Sequence, residues 1–307
     1  MTNAIIETEV LGHRLRYRPL DVRTPDGLHI AAQDWGAPTV GVREAALERD
    51  AEQGARDVLL IHGIGQSHLC WLKQLTGPLG RKYRFVTYDL RGHGGSDKPL
   101  APEYYRDGER WAREVRAVIE AAQLRHPAVV SWSYGGRVTL DYLEYFGGEG
   151  VVAGVVLAAA TSNADPSMFG PSAPLLFRMA EANDETESLA AAGAFLRACT
   201  YRPIPAAEYQ LMLDYNLRVP PAVLAAMVGR PAPYGLVLAG LTMPVLAIHG
   251  AEDGINLPAM AQYTIRTCPG ARASIYEGVG HTPFWEAPER FDGDLARFLE
   301  GLPTQVP

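Results

Sequence analysis

Apolar residues in this chain gather in short runs whose spacing changes along its length. Residues 14–22 and 28–35 are β-rich stretches separated by Thr24-Pro25-Asp26-Gly27. Proline and Asp-Gly favour a tight reversal there, so the spacing predicts an antiparallel opening. From residue 57 the runs become almost continuously apolar, at 58–61, 85–88, 128–132, 152–158 and 245–248, with a further strand-like run at 273–276. Such runs mark strands covered on both faces, as in a parallel sheet.

Helical spacing occupies 109–122, 136–145, 257–267 and 288–299. Alternating β and α units make a parallel sheet with right-handed crossovers the expected topology. Two segments break the alternation. Residues 36–56 start with Gly-Ala-Pro and continue rich in charge and poor in apolar anchors, which predicts an exposed, partly helical excursion. Residues 162–241 lack strand signals and hold helical pieces at 189–199 and 208–217 between proline and glycine breakers. The expected organisation is therefore a core of residues 1–161 and 242–307 carrying a helical cap insertion at 162–241.

Composition narrows the class without changing this picture. Of 307 residues, 47% are hydrophobic and 21% charged, an ordinary globular balance that argues against a disordered chain or a disulfide scaffold. Lys plus Arg number 28 against 35 Asp plus Glu, a net charge of -7 with no run of like charges, so no nucleic-acid partner is expected. Cys70, Cys199 and Cys268 show no C-x-x-C spacing or Cys/His cluster and read as free thiols. The first ten residues lack a secretory pattern, and the longest apolar stretch, 151–160, is half of the roughly 20 residues that span a bilayer. A soluble, cytoplasmic protein with no membrane partner is expected. The chain contains no H-E-x-x-H, Walker loop or Rossmann glycine fingerprint.

The most informative segment is Ser131-Trp132-Ser133-Tyr134-Gly135-Gly136, where an apolar strand turns through small residues into a helix. This junction forces its central residue into a strained conformation and lifts the Ser133 hydroxyl above the sheet edge. It also aims the amino end of the following helix at any oxyanion formed beside Ser133. Ser131 replaces the first glycine of the usual G-x-S-x-G. His62-Gly63-Ile64-Gly65 ends an earlier strand in a loop that offers a second backbone N–H, that of Ile64.

A serine nucleophile needs a base, and the base needs an acid to fix its tautomer. Of eight histidines, His281 stands apart in Gly280-His281-Thr-Pro-Phe-Trp285, on a loop after the last strand-like run. His62, His93 and His249 adjoin glycines at strand ends, and His13, His29, His68 and His126 sit in no triad-like motif. Asp253, in the loop after the run 245–248, is the acid chosen. Glu252 rivals it by adjacency and Asp165 by position.

With these residues placed, the sequence resembles the α/β-hydrolase fold superfamily in its Ser-His-Asp esterase and lipase-like branch, over about residues 23–302. The order Ser133, Asp253, His281 matches that family, as do His62-Gly63 and Asp89-Leu-Arg-Gly-His-Gly-Gly-Ser-Asp97. The resemblance implies a mostly parallel sheet flanked by helices, with Ser133 as nucleophile, His281 as base and then acid, and Asp253 as its orienting partner. It further implies that the N–H groups of Ile64 and Tyr134 form the oxyanion hole and that no metal or organic cofactor is needed. In finer detail the chain is similar to small capped bacterial carboxylesterases and acyl-homoserine lactone hydrolases. The expected function is hydrolysis of a small or medium, fairly apolar carboxylic ester through an acyl-enzyme. A lactonase, a carbon-carbon bond hydrolase and a non-catalytic binding protein are the alternatives. Trp71, Trp132, Phe284 and Trp285 flank these motifs and are the expected walls of the substrate pocket, while cap residues 195–201 and 209–215 are expected to set substrate size.

Overall fold

The computed structural model describes residues 4–36, 56–147, 150–231 and 233–303. Among them, β1 (Ile6–Val10), β2 (His13–Arg23), β3 (His29–Asp34), β4 (Asp57–Ile61), β5 (Arg84–Tyr88), β6 (Ala128–Trp132), β7 (Gly154–Ala158), β8 (Val245–Gly250) and β9 (Arg272–Tyr276) form one sheet. Its order is β1-β2-β3-β5-β4-β6-β7-β8-β9. The first three strands and the β3–β5 pair are antiparallel, and all pairs from β5 to β9 are parallel.

The apolar runs predict every strand except β1. That strand reads Ile-Glu-Thr-Glu-Val at the sheet edge with both faces largely in water, so no burial pattern marks it. It returns to β2 through Leu11 and Gly12, both at positive φ (52° and 77°), the backbone of a two-residue hairpin.

At the centre, every residue of β6 and β7 is buried, as are Val58 to Ile61 of β4. Each buried Val, Leu or Ile side chain contributes roughly 1.5–3 kcal/mol relative to exposure. Helices α1 (Gly108–Ala121) and α2 (Tyr134–Phe146) pack together, and α2 is buried over its first ten residues. Between β7 and β8 come α3 (Leu175–Glu181), α4 (Glu185–Cys199), α5 (Ala206–Asn216), α6 (Pro221–Met227) and α7 (Gly235–Ala239). Then α8 (Ala259–Thr267) and α9 (Pro288–Glu300) complete the second half.

The predicted excursion at 36–56 falls almost wholly on residues 37–55, which lie outside the described residues. Cys70, Cys199 and Cys268 are buried and unbridged. No helix among the described residues is long and apolar enough to cross a membrane. The parallel strands β4, β6 and β8 end at the same edge of the sheet. At such carboxyl ends open α/β sheets place their ligands.

Candidate active site

Ser133 sits between β6 and α2 with φ 54° and ψ -119°, outside the regions an L residue favours. Holding it there costs on the order of 1–3 kcal/mol, and the surroundings over-determine the conformation. Its N–H donates to the Ala158 carbonyl at 3.0 Å, and its own carbonyl accepts from Gly136 and Thr161, each at 3.0 Å. Glycine is required at position 135, and the loop after β4 comes close to the turn at Gly63. A Cβ at Gly135 would meet the carbonyl oxygens of His62 and Ile61 at 2.7 Å, and one at Gly63 would meet the Ser133 Cβ at 3.0 Å. Ser131, by contrast, lies within the sheet with its hydroxyl 3.4 Å from the Val156 carbonyl, so the small side chain fits where the family pattern has glycine.

The structure brings Ser133, His281 and Asp253 into one chain of hydrogen bonds. His281 Nε2 lies 2.9 Å from Ser133 Oγ, and its Nδ1 lies 2.7 Å from Asp253 Oδ2. Asp253 Oδ1 accepts from the N–H groups of Ile255 and Asn256 at 2.8 and 3.0 Å. The His249 Nε2 lies 2.8 Å from the Asn256 carbonyl and 3.1 Å from Asp253 Oδ2; both are acceptors, so this nitrogen carries the proton. Burial pushes the Asp253 carboxyl up, but the charge of His281 and hydrogen bonds from both histidines outweigh it and bring it to about 2. A carboxylate held ionised in this way fixes His281 with Nδ1–H towards Asp253 and the Nε2 lone pair towards Ser133.

The two rival carboxylates do other work. Glu252 Oε2 accepts from the N–H groups of Gly278 and Val279 at 2.8 and 3.1 Å and so braces the loop that carries His281. Asp165 is exposed and caps a short helical turn through the Ser167 N–H. The His281 loop is tied further by its N–H to the Cys199 carbonyl (2.9 Å) and by Gly280 N–H to Glu286 (2.9 Å). The sequence marks His249 only as a histidine beside a glycine at a strand end, and it does not single out Asn256 or Glu286, because nothing in their local patterns shows that they hold Asp253 or the His281 loop.

Ser133 opens into a cavity of about 480 Å³. Ile64 and Tyr134 line it beside Ser133. Tyr134 opens α2, so its N–H lacks an acceptor within the helix ladder. The four aromatics expected to form the pocket do not line it. Trp71, Trp132, Phe284 and Trp285 are almost fully buried, with Trp71 and Trp132 packed on Phe284 at ring separations of 4.4 and 5.0 Å. Trp132 Nε1 donates to the His281 carbonyl at 2.8 Å. These side chains back the His281 loop from the core. Closeness in sequence to the motifs did not tell which way they point. The cavity wall is instead made by Phe169, Leu176, Phe177, Met227 and Ile255, together with Arg137 and Arg230. Among the described residues no group of three His, Cys, Asp or Glu side chains is placed to hold a metal ion.

The sequence pattern of the alpha/beta hydrolase family matches residues 58–293. An aryl esterase candidate from Burkholderia cenocepacia is 33% identical, over 92% of this chain and 98% of that one, with a TM-score of 0.82. An esterase from Rhodococcus sp. ECU1013 is 32% identical, over 94% and 99% of the two chains, also with a TM-score of 0.82. Among curated sequences, an AB hydrolase superfamily protein of Bacillus subtilis is 25% identical over 79% of this chain and 91% of its own length.

Proposed function

The chain belongs to the alpha/beta hydrolase family, and on that premise we propose that it is a serine hydrolase of carboxylic esters. The carrying observation is the unbroken path from Asp253 through both nitrogens of His281 to the Oγ of Ser133, which lines a cavity. In this reading His281 Nε2 takes the hydroxyl proton as Ser133 attacks the ester carbonyl, and Asp253 stabilises the resulting imidazolium. The oxyanion that forms is met by the N–H groups of Ile64 and Tyr134, aimed where charge develops. His281 then passes its proton to the leaving alcohol. Water, deprotonated by the same nitrogen, releases the acid and frees Ser133.

The esterase relatives, each about one-third identical over more than nine-tenths of this chain, support an acyl carbon as the point of attack. Residues 162–241 act in this account as a helical cap, since Phe169, Leu176, Phe177 and Met227 supply much of the apolar wall. The substrate is a small molecule. The test is hydrolysis of a series of p-nitrophenyl esters of increasing acyl length. The wild type is expected to turn them over and Ser133→Ala to lose activity by three or more orders of magnitude (~10³ or greater) with an unchanged circular-dichroism spectrum. Equal turnover by the two proteins would refute the assignment.

A further inference from the structure

We propose that the Ser133 cavity takes an ester bearing a carboxylate a few bonds from its scissile carbonyl, and that Arg137 receives that carboxylate. The inference rests on the reading of Ser133 as nucleophile and deepens it by naming a substrate class.

The cavity wall, among the described residues, contains two arginines and no aspartate or glutamate. The two differ in how they are balanced. Arg230 Nη2 donates to Asp141 Oδ2 at 2.6 Å, and Tyr234 OH closes the group by donating to Asp141 Oδ1 at 2.7 Å. Arg137 forms no ion pair with a carboxylate among the described residues, Asp141 being paired with Arg230. Its Nη2 donates to the carbonyls of Arg230 and Pro231, while its Nε is buried without a partner. Two guanidinium groups thus share one carboxylate, leaving a net positive charge in the wall.

Arg137 is only 7% exposed, and among the described residues the one carboxylate whose charge reaches it, Asp141, is already hydrogen-bonded to Arg230 and Tyr234. Beside Arg137 the Tyr134 ring lies 5.1 Å from the guanidinium carbon, and the Tyr134 hydroxyl is also buried without a partner. A guanidinium on the wall of a cavity, with no carboxylate of its own, forms a site for an anion such as a carboxylate.

The spacing supplies the rest. Arg137 stands four residues after Ser133 on α2, about 6 Å further along the helix axis. Helical side chains lean back towards the amino end, here towards Ser133. A carboxylate reached from the acylated oxygen across a short carbon chain spans that interval, and Leu176, Met227 and Ile255 offer the methylenes an apolar wall. The charged end belongs either to the acyl half of the ester or to its alcohol half.

The experiment compares charged and neutral esters of similar length by pH-stat: monomethyl glutarate against methyl pentanoate for the acyl half, and carboxymethyl butanoate against propyl butanoate for the alcohol half. We expect kcat/KM to favour the anion about tenfold or more in one pair, the factor worth one charge-assisted hydrogen bond. The preferred pair identifies the half that carries the charge. Arg137→Met is expected to lower that preference about tenfold and Arg137→Lys to lower it less. Because Arg137 also ties residues 230 and 231, a second measurement keeps Arg137 and removes catalysis: glutarate should raise the melting temperature of Ser133→Ala, and pentanamide should not. No anion preference in either pair, a preference that survives Arg137→Met, or no stabilisation by glutarate overturns the proposal. Stabilisation by glutarate in a protein that hydrolyses none of the esters keeps the anion site and rejects the esterase reading instead.

Discussion

Asp253 uses both of its oxygens as acceptors, and that makes it sensitive to the smallest possible change. Oδ1 takes the N–H groups of Ile255 and Asn256, and Oδ2 takes the protons of His281 and His249. Asparagine has the same size but accepts on one side only. If its oxygen stays with the two backbone N–H groups, its NH2 faces His281 and forces the other tautomer, so Nε2 loses the lone pair that would accept the Ser133 proton. Asp253→Asn is therefore expected to lower kcat by about 10⁴ with a smaller change in KM. Steady-state kinetics check this, and a loss below about tenfold would remove Asp253 from the triad. The residue scale is also where the sequence was most legible. Ser133, Asp253 and His281 each sit in a short motif whose small neighbours have a steric cause, such as the clash that a Cβ at Gly135 would make with two carbonyl oxygens. The aromatics at 71, 132, 284 and 285 were misread, because an apolar ring beside a motif serves equally as wall or as backing. Arg137 was in plain view one helical turn after Ser133, but that it has no carboxylate of its own becomes visible only when the distant Arg230 and Asp141 are brought beside it.

At the scale of elements, the loop after β4 and the loop after β5 are fastened together by two histidines. His62 Nε2 accepts from Leu90 N–H at 2.9 Å while its Nδ1–H donates to Gly63; His93 Nε2 accepts from Gly65 N–H at 3.0 Å while its Nδ1–H donates to Arg91. Both patterns require neutral rings, because a doubly protonated imidazole has no acceptor. Burial is the leading cause that lowers His62 to about 4 and His93 to about 3, and a charge on either ring opposes a charge on the other, their centroids being 5.2 Å apart. The values in the fold lie below the ordinary 6.5. The unfolded chain therefore binds protons that the folded chain refuses, and stability is fully present above about 6.5 and declines as pH falls through the window towards 4 and 3. Urea midpoints measured from about pH 7 to about pH 4.5 are expected to fall, and less steeply in His62→Gln/His93→Gln, since glutamine keeps one donor and one acceptor. A flat wild-type profile would contradict this account of the loops. The buried strands and the long helices were legible because their periods are set by burial. Edge strand β1 was not, because water on both faces imposes no period.

At the scale of the molecule, the parallel sheet gathers at one edge what the sequence disperses over 148 positions between Ser133 and His281. The segment between β7 and β8 lacked strand signals, and of its helices α4 and α5 were legible, while the short α3, α6 and α7 between the proline and glycine breakers were not. The cavity it helps to enclose was not, since the wall draws Ile64, Phe169, Met227 and Ile255 from four separate stretches that only the fold assembles. On the proposed reading, this assembly makes Ser133 a nucleophile. The most direct measurement is labelling of the folded protein by a fluorophosphonate, read as the mass of the intact chain, for wild type, Ser133→Ala and His281→Ala. One label per wild-type chain at Ser133 is expected, none on folded Ser133→Ala, and labelling slowed by on the order of a hundredfold or more without the histidine base. A folded wild type that stays unlabelled, or a label that persists in Ser133→Ala, would contradict that reading.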